Sequence, residues 1–176
     1  PCMNLPSQHA PSMRICLLAV LFSLSFQSRA QSSGFGLGVI LGEPTGISMK
    51  GWVSSTRAID GAVAWDFWGG SYVHLHADYL FHNMDLIHLA KGKLPLYYGP
   101  GLRIESWTGE GHWDHRGHWN DPADTRSDLA LRFPVGLDYL PAATPLDVFL
   151  EVVPTLILTP ASWVEFDGGI GVRYWF

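Results

Sequence analysis

The stretch Leu129-Ala-Leu-Arg-Phe-Pro-Val-Gly-Leu-Asp-Tyr-Leu140 alternates with a period of two: Leu129, Leu131, Phe133, Val135, Leu137 and Tyr139 fall on one side, Arg132, Gly136 and Asp138 on the other. Side chains along an extended strand point to opposite faces in turn, so this is a two-faced β-strand. One face is bulky and apolar. The other holds a glycine and both charges.

Working outward, the same division recurs. Phe35, Leu37, Val39 and Leu41 oppose Gly36, Gly38 and Ile40, and Ile47, Met49 and Val53 oppose Ser48, Lys50 and Trp52. Ile59, Val63, Trp65 and Phe67 oppose Asp60, Ala62, Ala64 and Asp66, and Val73, Leu75, Ala77, Tyr79 and Phe81 oppose His74, His76 and Asp78. Over 94–105, Leu96, Tyr98, Leu102 and Ile104 oppose Tyr97, Gly99, Gly101, Arg103 and Glu105. Over 146–158, Leu146, Val148, Leu150, Val152 and Leu156 oppose Asp147, Phe149, Glu151 and Thr155. Over 163–176, Val164, Phe166, Ile170, Val172, Tyr174 and Phe176 oppose Glu165, Asp167, Gly169, Gly171 and Arg173. Eight strands are predicted, and the charges in them all lie on the glycine-bearing face.

That distribution decides the class. A soluble sandwich or lipocalin turns its apolar face inward and its charges to water. Bulky apolar residues on one face, with glycines and charges on the other, fit a narrow barrel whose apolar wall meets lipid. The sequence therefore predicts an all-β, eight-stranded antiparallel transmembrane β-barrel. Composition agrees: charged residues are 15%, short of the roughly 25% of soluble domains, while aromatics reach 13%. The net charge of −5 provides no basic field for nucleic acid. With the first strand starting in the periplasm, two aromatic girdles are expected. Trp65, Trp68, Tyr72, Trp107 and Trp163 would form the outer one, and Phe35, Tyr79, Phe81, Tyr97, Tyr98, Tyr139, Tyr174 and Phe176 the inner.

The twelve apolar residues 15–26 are too few to span a bilayer as a helix. Preceded by Met13-Arg14 and followed by Ser28-Arg29-Ala30, they read as a secretory signal peptide cleaved after Ala30. Residues 1–30 are then an upstream extension plus signal peptide, and 31–176 the barrel. Cys2 and Cys16 both fall in the removed part, so no disulfide is expected.

Several segments together resemble a family of small Gram-negative outer-membrane barrels, OmpA-like in architecture and sometimes called BAPKO-type. They are Gly42-Glu-Pro-Thr-Gly-Ile-Ser-Met-Lys50, Lys93-Leu-Pro-Leu-Tyr-Tyr-Gly-Pro-Gly101, Arg132-Phe-Pro-Val-Gly-Leu-Asp-Tyr-Leu140, Phe149-Leu-Glu-Val-Val-Pro154 and Asp167-Gly-Gly-Ile-Gly-Val-Arg-Tyr-Trp-Phe176. The resemblance covers essentially all of 31–176. It implies residence in the outer membrane, lipid and the assembly machinery as partners, and no established catalytic residues. Val172, Tyr174 and Phe176 on one face are similar to the signal that machinery reads. The segment between Glu105 and Leu129 is not recognised as a family feature.

Eight strands leave an interior that side chains fill. A polar cluster of Lys50, Asp66, His74, His76, Asp78, Arg103, Glu105, Arg132, Asp138, Glu151, Glu165, Asp167 and Arg173 is expected to plug it, and Gly136→Ser on this face is expected to cost much less than Val135→Arg on the other. A structural or surface-recognition role follows, a narrow cation-preferring channel being the alternative and a lipid A-modifying enzyme the second. His74-Leu75-His76 has no serine two residues on, so the nucleophile–histidine–acid set of such enzymes is not legible and no catalytic residue is assigned. No cofactor motif is present. The one long outer loop, 106–128, is where an extracellular ligand would be met. There His112, His115 and His118 recur every third residue beside Asp114 and Asp121, a set suited to zinc, nickel or copper.

Overall fold

The computed structural model describes residues 33–66, 71–87, 89–108 and 126–176. The expected signal peptide, the His112, His115 and His118 triad and the side chain of Asp66 lie outside these residues. Ten β-strands appear in chain order: β1 (Phe35–Gly42), β2 (Gly46–Ser54), β3 (Arg57–Asp66), β4 (Ser71–Asn83), β5 (Leu96–Tyr98), β6 (Gly101–Thr108), β7 (Arg126–Arg132), β8 (Val135–Tyr139), β9 (Leu146–Thr159) and β10 (Trp163–Trp175). All pairings are antiparallel. β10 pairs with both β9 and β1, which closes the sheet into a barrel.

Ten strands make an eight-stranded barrel because two staves are interrupted. β5 and β6 are one stave broken at Gly99-Pro100, and β7 and β8 are one broken at Phe133-Pro134. Register runs on across both breaks: Tyr98 pairs with Val135 below and Gly101 with Arg132 above. Continuous strands over 94–105 and 129–140 are thus corrected. A proline lacks the N–H the ladder needs, so each interruption sits at one. At the other end of this region the strands run further than the sequence indicated. β6 reaches Thr108 and β7 starts at Arg126, so the long connection narrows to 109–125.

The inside of this barrel is polar and the outside apolar. Arg132, Asp138, Asp147 and Thr155 are wholly inaccessible, whereas Leu41 is 58% exposed, Leu150 55% and Phe166 70%. Strand parity carries this through every stave, and β9 buries Asp147, Phe149, Glu151, Val153, Thr155 and Ile157 in unbroken alternation. Apolar side chains join this interior in a small cluster of Ile40, Ala62, Leu80, Tyr97 and Phe149.

The aromatics correct the picture of two girdles. Phe35, Tyr79, Phe81, Tyr98, Tyr139, Tyr174 and Phe176 do share the outer face at the end carrying the 84–95 connection. Within that band Tyr79 meets Phe81 at 5.2 Å, Phe81 meets Tyr98 at 5.9 Å and Tyr174 meets Phe176 at 5.0 Å. Tyr97, one residue out of phase, is buried inside instead. At the opposite end Trp65 faces out, but Tyr72, Trp107 and Trp163 have interior parity. Tyr72 turns its hydroxyl onto Glu105 and Trp163 its indole N–H onto Glu165. Trp68 lies outside the described residues. One aromatic band is present among those residues, not two.

Candidate functional site

Four cations rise from different staves into the interior, and each gathers carboxylates from its neighbours. Lys50 of β2 pairs with Asp138 of β8 and lies over the rings of Trp52 and Tyr97 at 5.0 and 5.3 Å. Arg173 of β10 donates to Asp60 at 2.7 Å, Asp147 at 3.4 Å and the Ser48 hydroxyl at 2.9 Å, with its guanidinium 3.8 Å from the centre of the Phe149 ring. Arg132 of β7 donates to both oxygens of Asp78 at 3.3 Å and to Glu151 at 3.4 Å. Arg103 of β6 pairs with Asp167 at 2.8 Å, Glu105 at 3.5 Å and Glu165. Charges with so little access to water persist only when paired and hydrogen-bonded, and these are.

Neutral groups tie the four centres together. Tyr97 donates to Glu151 at 2.8 Å, and Thr155 to Asp167 at 2.8 Å. His82 packs between Trp52, at 4.5 Å, and Tyr97, at 5.6 Å, with Nε2 3.4 Å from Asp138. On β4, His74 Nδ1 lies 2.6 Å from Glu105 Oε1, and His74 Nε2 lies 2.8 Å from His76 Nδ1. Both nitrogens of His74 are therefore engaged.

Of the residues predicted for the interior, Lys50, His74, His76, Asp78, Arg103, Glu105, Arg132, Asp138, Glu151, Asp167 and Arg173 are buried there together. Glu165 is half-buried beside Arg103. Val172 is exposed and Tyr174 half-buried on the outer face, in phase with exposed Phe176. Asp128, which the sequence places in the outer loop, stands instead on β7 two residues before Ala130, with interior parity and little exposure. Tyr97 was placed in the girdle although its alternation with Leu96 and Tyr98 already put it inside.

The interior glycines are not spare room. A Cβ on Gly136 would lie 2.4 Å from the Tyr97 ring and 2.5 Å from the Leu150 carbonyl oxygen. One on Gly171 would lie 2.3 Å from the Phe149 ring. These positions are empty so that an aromatic ring from the neighbouring stave can cross the lumen. A serine at 136 would therefore press on both the ring and the carbonyl. Comparison with known proteins finds no matching family model, and neither a curated protein nor a solved structure of significant similarity.

Proposed function

We propose that this chain is an integral outer-membrane β-barrel of the small OmpA-like kind, with a structural or surface-recognition role, its lumen plugged and no catalytic machinery of its own. The observation carrying the reading is the apolar outer wall. More than twenty large apolar side chains are substantially exposed, nearly all on the barrel exterior. At roughly half exposure each they present over about 1,000 Å², where a soluble monomer's largest patch is about 300–600 Å². The longest staves, β4, β9 and β10, have 13, 14 and 13 residues, enough for the roughly 9–11 a tilted strand needs to cross the hydrocarbon. The polar interior supports the same reading, since a closed barrel leaves no backbone edge unsatisfied in lipid.

The test is a charge on the wall. Val135 faces outward on β8. In phospholipid vesicles Val135→Arg should lower unfolding free energy by about 2–4 kcal/mol, the cost of arginine near the bilayer midplane. On a barrel standing in water the same exchange at a half-exposed position would be nearly neutral, within about 0.5 kcal/mol. A neutral result in urea titrations of the vesicle-folded protein overturns the membrane assignment.

A further inference from the structure

Inside the barrel His76 stands beside Asp60 of β3 and Asp78 of its own strand. One ligand atom from each lies within 4.8 Å of the other two, and all three residues are buried. The chain of contacts leading to His76 distinguishes this group from an ordinary polar cluster. Glu105 Oε1 lies 2.6 Å from His74 Nδ1, and His74 Nε2 lies 2.8 Å from His76 Nδ1. That chain engages Nδ1 of His76 and leaves Nε2 as its other ring nitrogen. That nitrogen faces Asp78 Oδ2 at 3.8 Å, beyond hydrogen-bond length. His76 Nε2 and the two carboxylates thus converge on one point of the interior.

We propose that His76 Nε2, Asp60 and Asp78 bind one divalent transition-metal ion of the zinc class. An imidazole with two carboxylates suits such an ion, whereas calcium and magnesium take oxygen-only sets. A ligating histidine backed through its other ring nitrogen by an acceptor and then a carboxylate is the usual support for a bound metal, and His74 with Glu105 supplies that chain. Three atoms at most 4.8 Å apart have a centre within about 2.8 Å of each, so each must close by roughly 0.7 Å to reach zinc's ~2.0–2.2 Å. Arg132 donates to both oxygens of Asp78 and Arg173 to Asp60 Oδ2, and a carboxylate has lone pairs enough to serve an arginine and a metal together. The rival occupant of the gap is a proton held by one of the two carboxylates. The site does not depend on where the barrel resides.

The experiment is zinc titration calorimetry on the full chain folded in detergent micelles, in a His112→Ala, His115→Ala, His118→Ala background that removes the loop histidines. One zinc per barrel is expected, with Kd raised at least tenfold when His76→Gln or Asp60→Asn is added, folding being checked by heat-modifiable migration. X-ray absorption of the bound zinc should give one imidazole among oxygen ligands. Absence of binding in the loop-histidine background, an unchanged Kd in His76→Gln, or a signal with several imidazoles would overturn the proposal. Should Asp60→Asn fail to fold, His76→Gln and the absorption spectrum decide.

Discussion

Each interior residue owes its place to a neighbour on another strand, and Gly136 illustrates the point best. Tyr97 pairs with it across β5 and β8 and extends its ring over the glycine to reach Glu151. A serine there must push against a ring on one side and a carbonyl on the other, and the carbonyl belongs to the rigid β9 ladder. Gly136→Ser should therefore destabilise the barrel by about 1–3 kcal/mol, the usual cost of overpacking. Tyr97→Phe added to it should restore little, because the ring carbon nearest the new side chain remains. Urea unfolding of the two variants checks this; equal stability of Gly136→Ser and the unaltered barrel would remove Tyr97's claim on the space. Parity in the sequence placed Gly136 on the lumen side. It was silent about occupancy, because the volume beside a glycine is filled from a strand nearly forty residues away.

At the scale of elements, three prolines fall into line. Pro100, Pro134 and Pro154 lie on three adjacent staves, and each accepts one ladder bond without returning it: from Tyr79 at 2.9 Å, from Gly99 at 3.2 Å and from Phe133 at 3.0 Å. The reciprocal bonds cannot form. A diagonal seam of singly bonded pairs thus crosses the wall between β4 and β9, while β9 and β10 pair without interruption from Trp163–Ile157 to Tyr174–Leu146. Local opening follows the density of hydrogen bonds. Amide hydrogen exchange of the folded barrel should be faster at Tyr79, Gly99 and Phe133 than at ladder amides of β10 such as Gly171 and Val172. Uniform protection would mean the seam is as firm as the rest. The eight staves, their faces and their approximate limits were legible from alternation alone, since period two survives a broken hydrogen bond. The seam was not, because the prolines are far apart in the chain and meet only once register is set. The second girdle failed for a related reason. Position near a strand end was read from order along the chain, but Tyr72, Trp107 and Trp163 differ in parity from Trp65, and parity turns them inward.

For the whole molecule, the polar cluster decides whether the barrel can conduct. Eight strands bound a lumen that side chains just fill. Here the filling is Arg132 and Arg173 at its middle, Phe149 and Tyr97 alongside, and the Lys50–Asp138 pair with His82 toward the end bearing the aromatic band. An ion crossing this column would have to part several desolvated ion pairs at once, each costly to leave uncompensated. The proposed outer-membrane barrel should therefore be silent in a planar bilayer, with no conductance steps above baseline in molar potassium chloride. The acid excess determines what happens when the plug is breached. Arg132→Ala removes the guanidinium joining Asp78 and Glu151 and leaves both carboxylates beside the gap. Those charges favour cations, and water entering the gap hydrates them. Arg132→Ala should give small, cation-preferring openings, and should cost about 3–5 kcal/mol of stability, as removal of one partner from a buried pair does. Steady cation-selective steps from the unaltered barrel would instead make the column a permeation path and give the protein a channel's role. Silence in both proteins would mean that the remaining side chains collapse into the space the arginine leaves.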